Sequence, residues 1–189
     1  MGSSARRGAI TFYTSNPGKV REVRHRLAPL GVAVRWGRRT LTEPQADSLE
    51  EVARFKLQQV PPARDGALVE DAGLFVRGLA GFPGVYSAYV LRTLGPAGLA
   101  RLTPPAHRSA VFRAVLGYRG GNGRPRFFVG EAEGTIAQHP RGTGGFGFDP
   151  VFIPRGEERT FAEMTLMEKE RLSHRGKALT AFEHFLRRA

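Results

Sequence analysis

The stretch AITFYTSNPGKVREVRHRLAPLG, residues 9–31, decides how the chain folds. Its first six residues are mostly β-branched and aromatic side chains, which predict a strand. SNPGK interrupts that strand. Val20, Val23 and Leu27 then recur at helical spacing, so the sequence predicts a helix from Pro17 to Leu30. Proline is tolerated in a first helical turn, because its missing N–H would have no partner there.

The rest of the chain continues this alternation of strands and helices. Further strands are predicted over residues 32–36, 67–70, 74–76, 110–118, 126–133 and 151–153. Further helices are predicted over residues 48–60, over two pieces of 85–102, after Thr165 and after Ser173. The early strands are joined through helices and the later ones by a hairpin. We therefore expect one α/β domain, residues 1–189, with a mixed β-sheet.

The composition excludes several classes of protein. With 41% hydrophobic residues the chain can bury a core, and disorder is not expected. It contains no run of 18 apolar residues and begins with no signal-peptide pattern, so neither a membrane span nor secretion is expected. Cysteine is absent, which excludes disulfides, thiolate metal sites and cysteine nucleophiles. We expect a cytoplasmic protein that has no membrane partner.

The net charge is strongly positive, since 29 lysines and arginines stand against 17 aspartates and glutamates, which gives +12. This balance permits a nucleic acid or another polyanion as a partner. The arginines are spread singly, however, and such a distribution also fits an ordinary solvated surface. Only four of the 29 basic residues are lysines, at positions 19, 56, 169 and 177. Because these lysines stand at motif-like places, they are candidates for binding an anion.

The junction between the first strand and the first helix is a candidate phosphate site. A helix that begins directly after a strand exposes backbone N–H groups and the positive end of its dipole. The junction loop, which adds hydroxyl, amide and ammonium groups, consists of Thr14, Ser15, Asn16, Pro17, Gly18 and Lys19. The GxxxxGK[ST] pattern of a P-loop is absent. The alternative interpretation is an ordinary helix cap with a surface lysine.

Three carboxylates form a candidate metal site. Glu70 and Asp71 close an apolar strand, and Glu43 lies in an earlier polar loop. Carboxylates at the open end of an α/β sheet stand where ligands usually bind, and they can hold Mg²⁺ and orient a water molecule. The alternative is that they are surface acids. Lys56 lies at the centre of the apolar stripe of its predicted helix, so its ammonium either reaches an anion or extends past the core edge to solvent.

The glycine-rich segment GTGGFGFD, residues 142–149, is a candidate site for a base. It contains GxGxxG, but it does not join a strand to a helix within a βαβ unit, so we reject a dinucleotide site. Phe146 and Phe148 could stack on a base and Asp149 could accept a hydrogen bond from its edge. The alternative is that both rings belong to the core.

The last predicted helix begins with two basic residues in an unfavourable position. His174 and Arg175 lie in its first turn, where positive side chains oppose the helix dipole. This placement indicates an anion or a ligand that accepts hydrogen bonds. The alternative is exposure to solvent beside Glu168 and Glu170. The five histidines show no zinc spacing, and the GxSxG pattern of serine hydrolases is absent.

Six segments, taken in order and spacing, resemble the inosine triphosphate pyrophosphatase family (XTP/dITP diphosphatases). They are TSNPGK, LVEDAGLFV, GFPGVYSAY, PRGTGGFGFDPVF, TFAEM and SHRGKAL, and they cover nearly the whole chain. ADSLEEVA together with VLRTLGPAGL is more similar to the archaeal and eukaryotic branch than to the bacterial one. No single segment is specific, but the six together are.

This resemblance implies a fold and an activity. The family has an elongated α/β fold whose mixed sheet forms two lobes around a central cleft, and it is usually a homodimer. It hydrolyses the deaminated purine nucleoside triphosphates ITP, dITP and XTP to the monophosphate and pyrophosphate, which removes them from the nucleotide pool. The reaction uses Mg²⁺, for which Mn²⁺ is a possible substitute. A stable complex with nucleic acid is not expected.

The resemblance also implies roles for individual residues. Glu43 and Asp71 would bind the metal, and Asp71 would be the catalytic proton acceptor. The triphosphate would be bound by the junction loop, Thr14 to Lys19, together with Lys56 and Lys169. The nucleoside would be contacted by Phe146, Gly147, Phe148 and Asp149, and the base would be read by His174 and Arg175. Any contact from Ala72 would come from its backbone.

Two positions depart from the family pattern, and two other functions remain open. Ala72 stands where many relatives have serine or threonine, so a hydroxyl contact to the substrate is missing. Glu170 stands where relatives usually carry asparagine, beside Lys169. The first alternative function is a nucleic-acid-binding module that uses the positive charge and exposed aromatic rings. The second is a pyrophosphatase of the same fold that acts on modified pyrimidine triphosphates.

Overall fold

A computed structural model of the protein describes residues 8–61, 65–121 and 123–188. Within these ranges the chain forms seven strands and six α-helices. The strands are β1 (Ala9–Tyr13), β2 (Ala33–Gly37), β3 (Ala67–Val76), β4 (Pro83–Gly84), β5 (Ser109–Arg119), β6 (Arg126–Ile136) and β7 (Phe152–Pro154). The helices are α1 (Pro17–Leu27), α2 (Leu49–Gln59), α3 (Ser87–Thr93), α4 (Gly95–Leu102), α5 (Leu166–Leu172) and α6 (His174–Arg188).

The strands form one mixed sheet. Their hydrogen-bonded order is β2-β1-β3-β5-β6-β7, and β4 pairs with β3. Strand β1 is parallel to both β2 and β3, whereas the pairs β3–β4 and β6–β7 are antiparallel. Parallel neighbours need a crossover connection, which α1 provides between β1 and β2. The predicted α/β class, with a mixed sheet flanked by helices, is confirmed.

The chain divides into two compact units. The first runs to Asp71 and includes residues 115–128 and the chain from Leu179 onward. Helix α1 buries one apolar face there, as its helical spacing predicts, and ends before Gly31, whose φ of 70° turns the chain. Helix α2 begins at the cap Ser48, whose side chain accepts from the Glu51 N–H. The core of this unit includes Phe12, Val23, Leu27, Val52, Leu57 and Leu68.

The second compact unit comprises residues 72–114 and 129–178. Its core includes Leu74, Val76, Val90, Leu99, Phe112, Phe152 and Phe161. Thr165 and Glu168 form the predicted capping box at the start of α5, because each side chain accepts from the other residue's backbone N–H. The Ser173 hydroxyl accepts from the Gly176 N–H at 3.0 Å, which confirms the predicted start of α6.

Two predicted element boundaries are wrong. The sequence predicts separate strands over residues 67–70 and 74–76, but β3 is continuous from Ala67 to Val76. Gly73 does not break it, because this glycine does not adopt a positive φ. Asp71 therefore lies within a long strand, not at its end. The first helix also stops at Leu27, and a 3₁₀ turn covers Ala28–Leu30.

Candidate active site

The junction loop after β1 is held by its own side chains. The Asn16 side chain caps α1 by accepting from the N–H groups of Gly18, at 2.8 Å, and Lys19, at 3.3 Å. The Thr14 hydroxyl accepts from the Asn16 N–H, and the Trp36 indole N–H donates to the Thr14 carbonyl at 2.8 Å. Two of the N–H groups expected to face a phosphate are therefore already engaged by Asn16. Ser15 and Pro17 are exposed.

Lys19, the last residue of this loop, forms an ion pair with Glu70 on β3. Its ammonium lies 3.3 Å from Glu70 Oε1. The Glu70 side chain is completely buried, whereas that of Lys19 keeps 15% of its surface exposed. The Glu70 carboxylate therefore has no contact with solvent, whereas the Lys19 side chain is still accessible to a ligand at the junction loop.

Lys56 joins two of the predicted metal ligands. Although it lies on the apolar stripe of α2 and is only 6% exposed, its ammonium lies 2.6 Å from Glu43 Oε1 and 2.6 Å from Asp71 Oδ1. It also donates to the Glu70 carbonyl at 3.2 Å. Of the two interpretations of Lys56, the structure supports the one in which its ammonium reaches an anion. We call Glu43, Lys56 and Asp71 the carboxylate–lysine triad.

Burial and neighbouring charges shift the pKa values of Asp71 and Lys56 in the triad. Burial raises the pKa of Asp71 above its ordinary value, although the ammonium groups of Lys56 and Lys19 oppose this shift. Burial lowers the pKa of Lys56, but the carboxylates of Asp71 and Glu43 outweigh it and leave that pKa raised. Lys56 therefore stays charged, and Asp71 binds a proton more readily than a surface aspartate does. Asp71 is therefore a stronger base than a surface aspartate, as a group that accepts a proton from water should be.

Glu43 and Asp71, the two carboxylates beside Lys56, can serve together as oxygen ligands of a hard divalent cation. Among the described residues, no group of three or more His, Cys, Asp or Glu side chains is arranged to hold a metal ion. Glu43 and Asp71, however, each place an oxygen 2.6 Å from the same ammonium, so the two oxygens lie no more than twice that distance apart. Mg²⁺ is commonly held by one or two carboxylates, with water and substrate phosphate as its other ligands. The residues present fit such a site.

A second lysine–carboxylate pair lies in the second unit. Lys169 Nζ lies 2.6 Å from Asp149 Oδ2, and both side chains are almost fully buried. The same carboxylate oxygen accepts from the Phe146 N–H at 2.7 Å. Gly145 adopts a φ of 67°, and a Cβ at that position would overlap the Asp149 carboxylate, so only glycine allows this close turn. The glycine-rich segment is thereby folded around Asp149.

Phe146 and Phe148 have different environments. The Phe146 ring is half-buried and lies beneath two cations, with its centroid 4.6 Å from Lys169 Nζ and 5.1 Å from Arg175 Cζ. Phe148 is 2% exposed and packs in the core of the second unit. This corrects the expectation that both rings present a face to a base. Gly147, between them, has a φ of 66°.

His174 and Arg175 are buried in the first turn of α6, each with 2% of its surface exposed. The interpretation that they are solvated is therefore wrong. The His174 ring stacks on Phe112, with centroids 4.1 Å apart and planes inclined by 5°. Two basic side chains at the positive end of a helix, shielded from water, are costly unless an acceptor faces them. Their burial therefore requires an acceptor, which the protein itself or a ligand can supply.

The two positions that depart from the family pattern lie beside these clusters. Ala72 follows Asp71 within β3 and is half-buried. Glu170 lies on α5 and is also half-buried, and its carbonyl lies so close to Gly176 that a Cβ there would overlap it. The charge of Lys169 is met by Asp149, whichever residue occupies position 170.

Sequence reasoning missed three side chains that hold the site residues in place. They are Trp36, which binds the junction loop; Phe112, which stacks on His174; and Gln59, which binds the loop before Glu43. The alternation of β5 indicates that Phe112 is inward-facing, but no local pattern connects these residues with their distant partners.

In the described ranges, no helix is long and apolar enough to cross a membrane.

Buried, paired lysines and carboxylates on an α/β sheet are typical of an enzyme that acts on an anionic substrate. The comparisons with known proteins make this class specific. The chain belongs to the Ham1 family, whose sequence model matches residues 10–185. The motif resemblance drawn from the sequence is thereby confirmed at the level of the family.

Curated relatives and solved structures agree with this assignment. The dITP/XTP pyrophosphatase of Thermococcus kodakarensis is 49% identical over 180 residues, which cover 94% of this chain and 97% of that protein. That of Pyrococcus horikoshii is 47% identical over 183 residues, which cover 94% and 96%. The solved structure of a HAM1 protein from Coxiella burnetii has a TM-score of 0.78 and 29% identity, and the match covers 96% of this chain and 99% of that one.

Proposed function

We propose that the protein hydrolyses the deaminated purine nucleoside triphosphates ITP, dITP and XTP to the monophosphate and pyrophosphate. Relatives that are 49% and 47% identical over nearly the whole chain are named dITP/XTP pyrophosphatases. The structural observation that carries the proposal is the carboxylate–lysine triad, in which one buried ammonium lies 2.6 Å from both Glu43 and Asp71. Such a group combines a proton acceptor, a fixed positive charge and two oxygen ligands.

We propose that the junction loop, Lys19 and Lys56 bind the triphosphate and that Asp71 assists its hydrolysis. Lys19 and Lys56 offset the charge of the phosphate chain, and the junction loop provides further donors. Asp71, with its raised pKa, orients a water molecule and accepts its proton as the water oxygen bonds to the α-phosphorus. The bond from that phosphorus to the bridging oxygen breaks, and pyrophosphate leaves. In phosphoryl transfer, positioning and charge stabilisation of this kind account for most of the catalysis.

We propose Mg²⁺ as the cofactor, bound by Glu43 and Asp71, with Mn²⁺ as a possible substitute. The metal would supply positive charge to the phosphate oxygens. The two carboxylates bring oxygens close together beside the junction loop, which supports their role as a shared pair of oxygen ligands.

We propose that a separate set of residues selects the base. We propose that the purine stacks on the Phe146 ring, with Gly147 allowing close approach, and that the buried donors of His174 and Arg175 face the O6 acceptor of hypoxanthine or xanthine. Adenine presents an amino group at that position and would offer these donors no acceptor there. A mismatch of this type can discriminate by about 10⁴-fold or more.

The finer features of the family are also proposed for this protein. They are a homodimeric assembly, a cytoplasmic location and the absence of a stable complex with nucleic acid. The arrangement of two lobes around a central cleft stays a prediction.

Pyrophosphate release from a panel of triphosphates tests the proposed function. The panel contains ITP, dITP, XTP, ATP, GTP and a modified pyrimidine triphosphate, each assayed with and without Mg²⁺. We expect release from the three deaminated purine nucleotides and none from ATP, and only with the metal; GTP shows whether contacts beyond O6 contribute to selection. Activity confined to the pyrimidine compound would favour the second alternative function. Absence of release, together with tight but salt-sensitive binding of nucleic acid, would favour the binding module.

A further inference from the structure

Glu43 differs from the other members of the carboxylate–lysine triad in the element that carries it. Asp71 belongs to the sheet and Lys56 to a helix, but Glu43 lies in the segment 38–48, which contains no helix or strand. Its side chain is 49% exposed. Lys56 is buried in this ion pair, but the Glu43 carboxylate keeps about half of its surface in solvent, which weakens the hold of the pair on an irregular segment.

Gln59, the last residue of α2, binds the residue that precedes Glu43. Its Oε1 accepts from the Thr42 N–H at 2.8 Å, and its Nε2 donates to the Thr42 carbonyl at 2.8 Å. The side-chain amide thus engages both backbone groups of Thr42, as a neighbouring strand would. We call this pair of hydrogen bonds the Gln59 clamp.

The orientation of the Gln59 amide is determined by its partners. The same Nε2 also donates to the Phe55 carbonyl, one turn earlier on α2, at 3.3 Å. If the amide were flipped, a donor would face the Thr42 N–H and an acceptor would face two carbonyls. The clamp is therefore specific to glutamine, because both its donor and its acceptor are used.

An apolar contact supports the clamp at the adjacent position. Leu41 packs against the buried cluster of Leu57, Val60, Ala67 and Val69. Residues 41 and 42 are thus held against α2 by one apolar and one polar contact, and Glu43 follows directly. Lys56 precedes Gln59 by three residues on α2, so both lie on the same side of the helix.

From this geometry we infer that Gln59 is a positioning residue that holds Glu43 in the carboxylate–lysine triad for metal-dependent hydrolysis. The inference rests on the proposed function. One helix supplies the ammonium that pairs with Glu43 and the amide that fixes the backbone beside it. Side chains that orient metal ligands typically change metal affinity or activity by about 10-fold or more when they are removed.

The test compares Gln59→Leu with Gln58→Leu in the full chain. Gln58 is the matched control, because it is the same residue type on the same helix but is exposed. We expect Gln59→Leu to raise the Mg²⁺ concentration for half-maximal pyrophosphate release by about 10-fold. The KM for ITP at saturating Mg²⁺ should change less than twofold. Gln59→Glu, which retains the acceptor and loses the donor, should be intermediate.

Hydrogen–deuterium exchange of peptides that cover residues 38–48 provides a readout without turnover. Gln59→Leu should accelerate exchange there and leave the peptides of β3 unchanged, and Gln58→Leu should resemble the wild type. Accelerated exchange with an unchanged Mg²⁺ requirement would reduce the clamp to a structural role and overturn the inference, as would unchanged exchange. If the wild type releases no pyrophosphate at all, the proposed function fails and the inferred role of Gln59 fails with it. The exchange data then decide only whether the clamp holds the loop.

Discussion

The two lysine–carboxylate clusters share a contact distance but differ in how they are built. In the first unit, one ammonium lies 2.6 Å from two carboxylates, and one of these, Glu43, is 49% exposed on an irregular segment. In the second unit, the Lys169 ammonium lies 2.6 Å from Asp149, which is almost fully buried and also accepts a backbone N–H. In the first cluster the half-exposed Glu43 can exchange its partner for a ligand at modest cost, whereas the partners in the second cluster are buried and fixed. Chemistry is expected at the former and recognition at the latter.

The largest expected effect breaks the first cluster at its proton acceptor. Asp71→Asn should lower kcat for ITP by about 10²–10⁴-fold, because the amide cannot accept a proton from water. A thermal scan should still show a cooperative transition. Asp65→Asn is the control, since Asp65 forms an exposed pair with Arg35. Near-wild-type turnover in Asp71→Asn would remove Asp71 from the mechanism.

The second prediction compares how much each cluster contributes to the free energy of unfolding. Asp149→Asn should lower the free energy of unfolding by about 3–5 kcal/mol, because it deprives a buried ammonium of its carboxylate. Glu43→Gln makes the same chemical change at a half-exposed position and should cost no more than about 1 kcal/mol. Urea unfolding of both variants measures the difference. Equal losses of unfolding free energy in the two variants would contradict the prediction that the second cluster contributes more to stability than Glu43 does.

A smaller effect sharpens the assignment of recognition to the second unit. Phe146→Ala should raise KM for ITP by roughly 10- to 100-fold, since stacking of one base on an aromatic ring contributes about 1–3 kcal/mol. Phe146→Tyr keeps a ring and should remain within about threefold of the wild-type KM. Steady-state kinetics at saturating Mg²⁺ give both values. A KM that is unchanged in Phe146→Ala would contradict the role of this ring.

The smallest effect concerns the helix that carries Lys169. Hydrogen bonds from the Thr165 backbone and hydroxyl, and from Arg159, lower the pKa of Glu168 to about 2. Because the folded-state pKa is depressed, the stabilisation is present above the ordinary pKa of about 4.5 and is lost as the pH falls towards about 2. The Tm of Glu168→Gln should therefore depend less on pH in this window than that of the wild type. The exposed Glu158→Gln should follow the wild type.

The sequence was sufficient for the elements whose signals are local. Helix caps at Ser48, Thr165 and Ser173 follow from side chains that bind backbone within the next turn. The continuity of β3 was not predictable in this way, because Gly73 is compatible with a strand or a turn and only its paired neighbours decide between them.

The site residues also differ in whether a local sequence signal could reveal them. Lys56 could be singled out, because a lysine on an apolar stripe conflicts with its surroundings, yet its two carboxylate partners come from distant segments. Phe146 and Phe148 carry the same local signal, and only tertiary packing buries one and leaves the other half-exposed. Gln59 carries no signal at all, since its role depends on a contact with Thr42.

The most direct test is a crystal structure with Mg²⁺ and an ITP analogue whose α–β bridging oxygen is replaced by a non-hydrolysable imido group. Our account predicts phosphate oxygens within hydrogen-bonding distance of Lys19 and Lys56, and a cation bound by Glu43 and Asp71. It also predicts the hypoxanthine ring on the face of Phe146. Phosphates bound to surface arginines, with the cation away from both carboxylates, would contradict it.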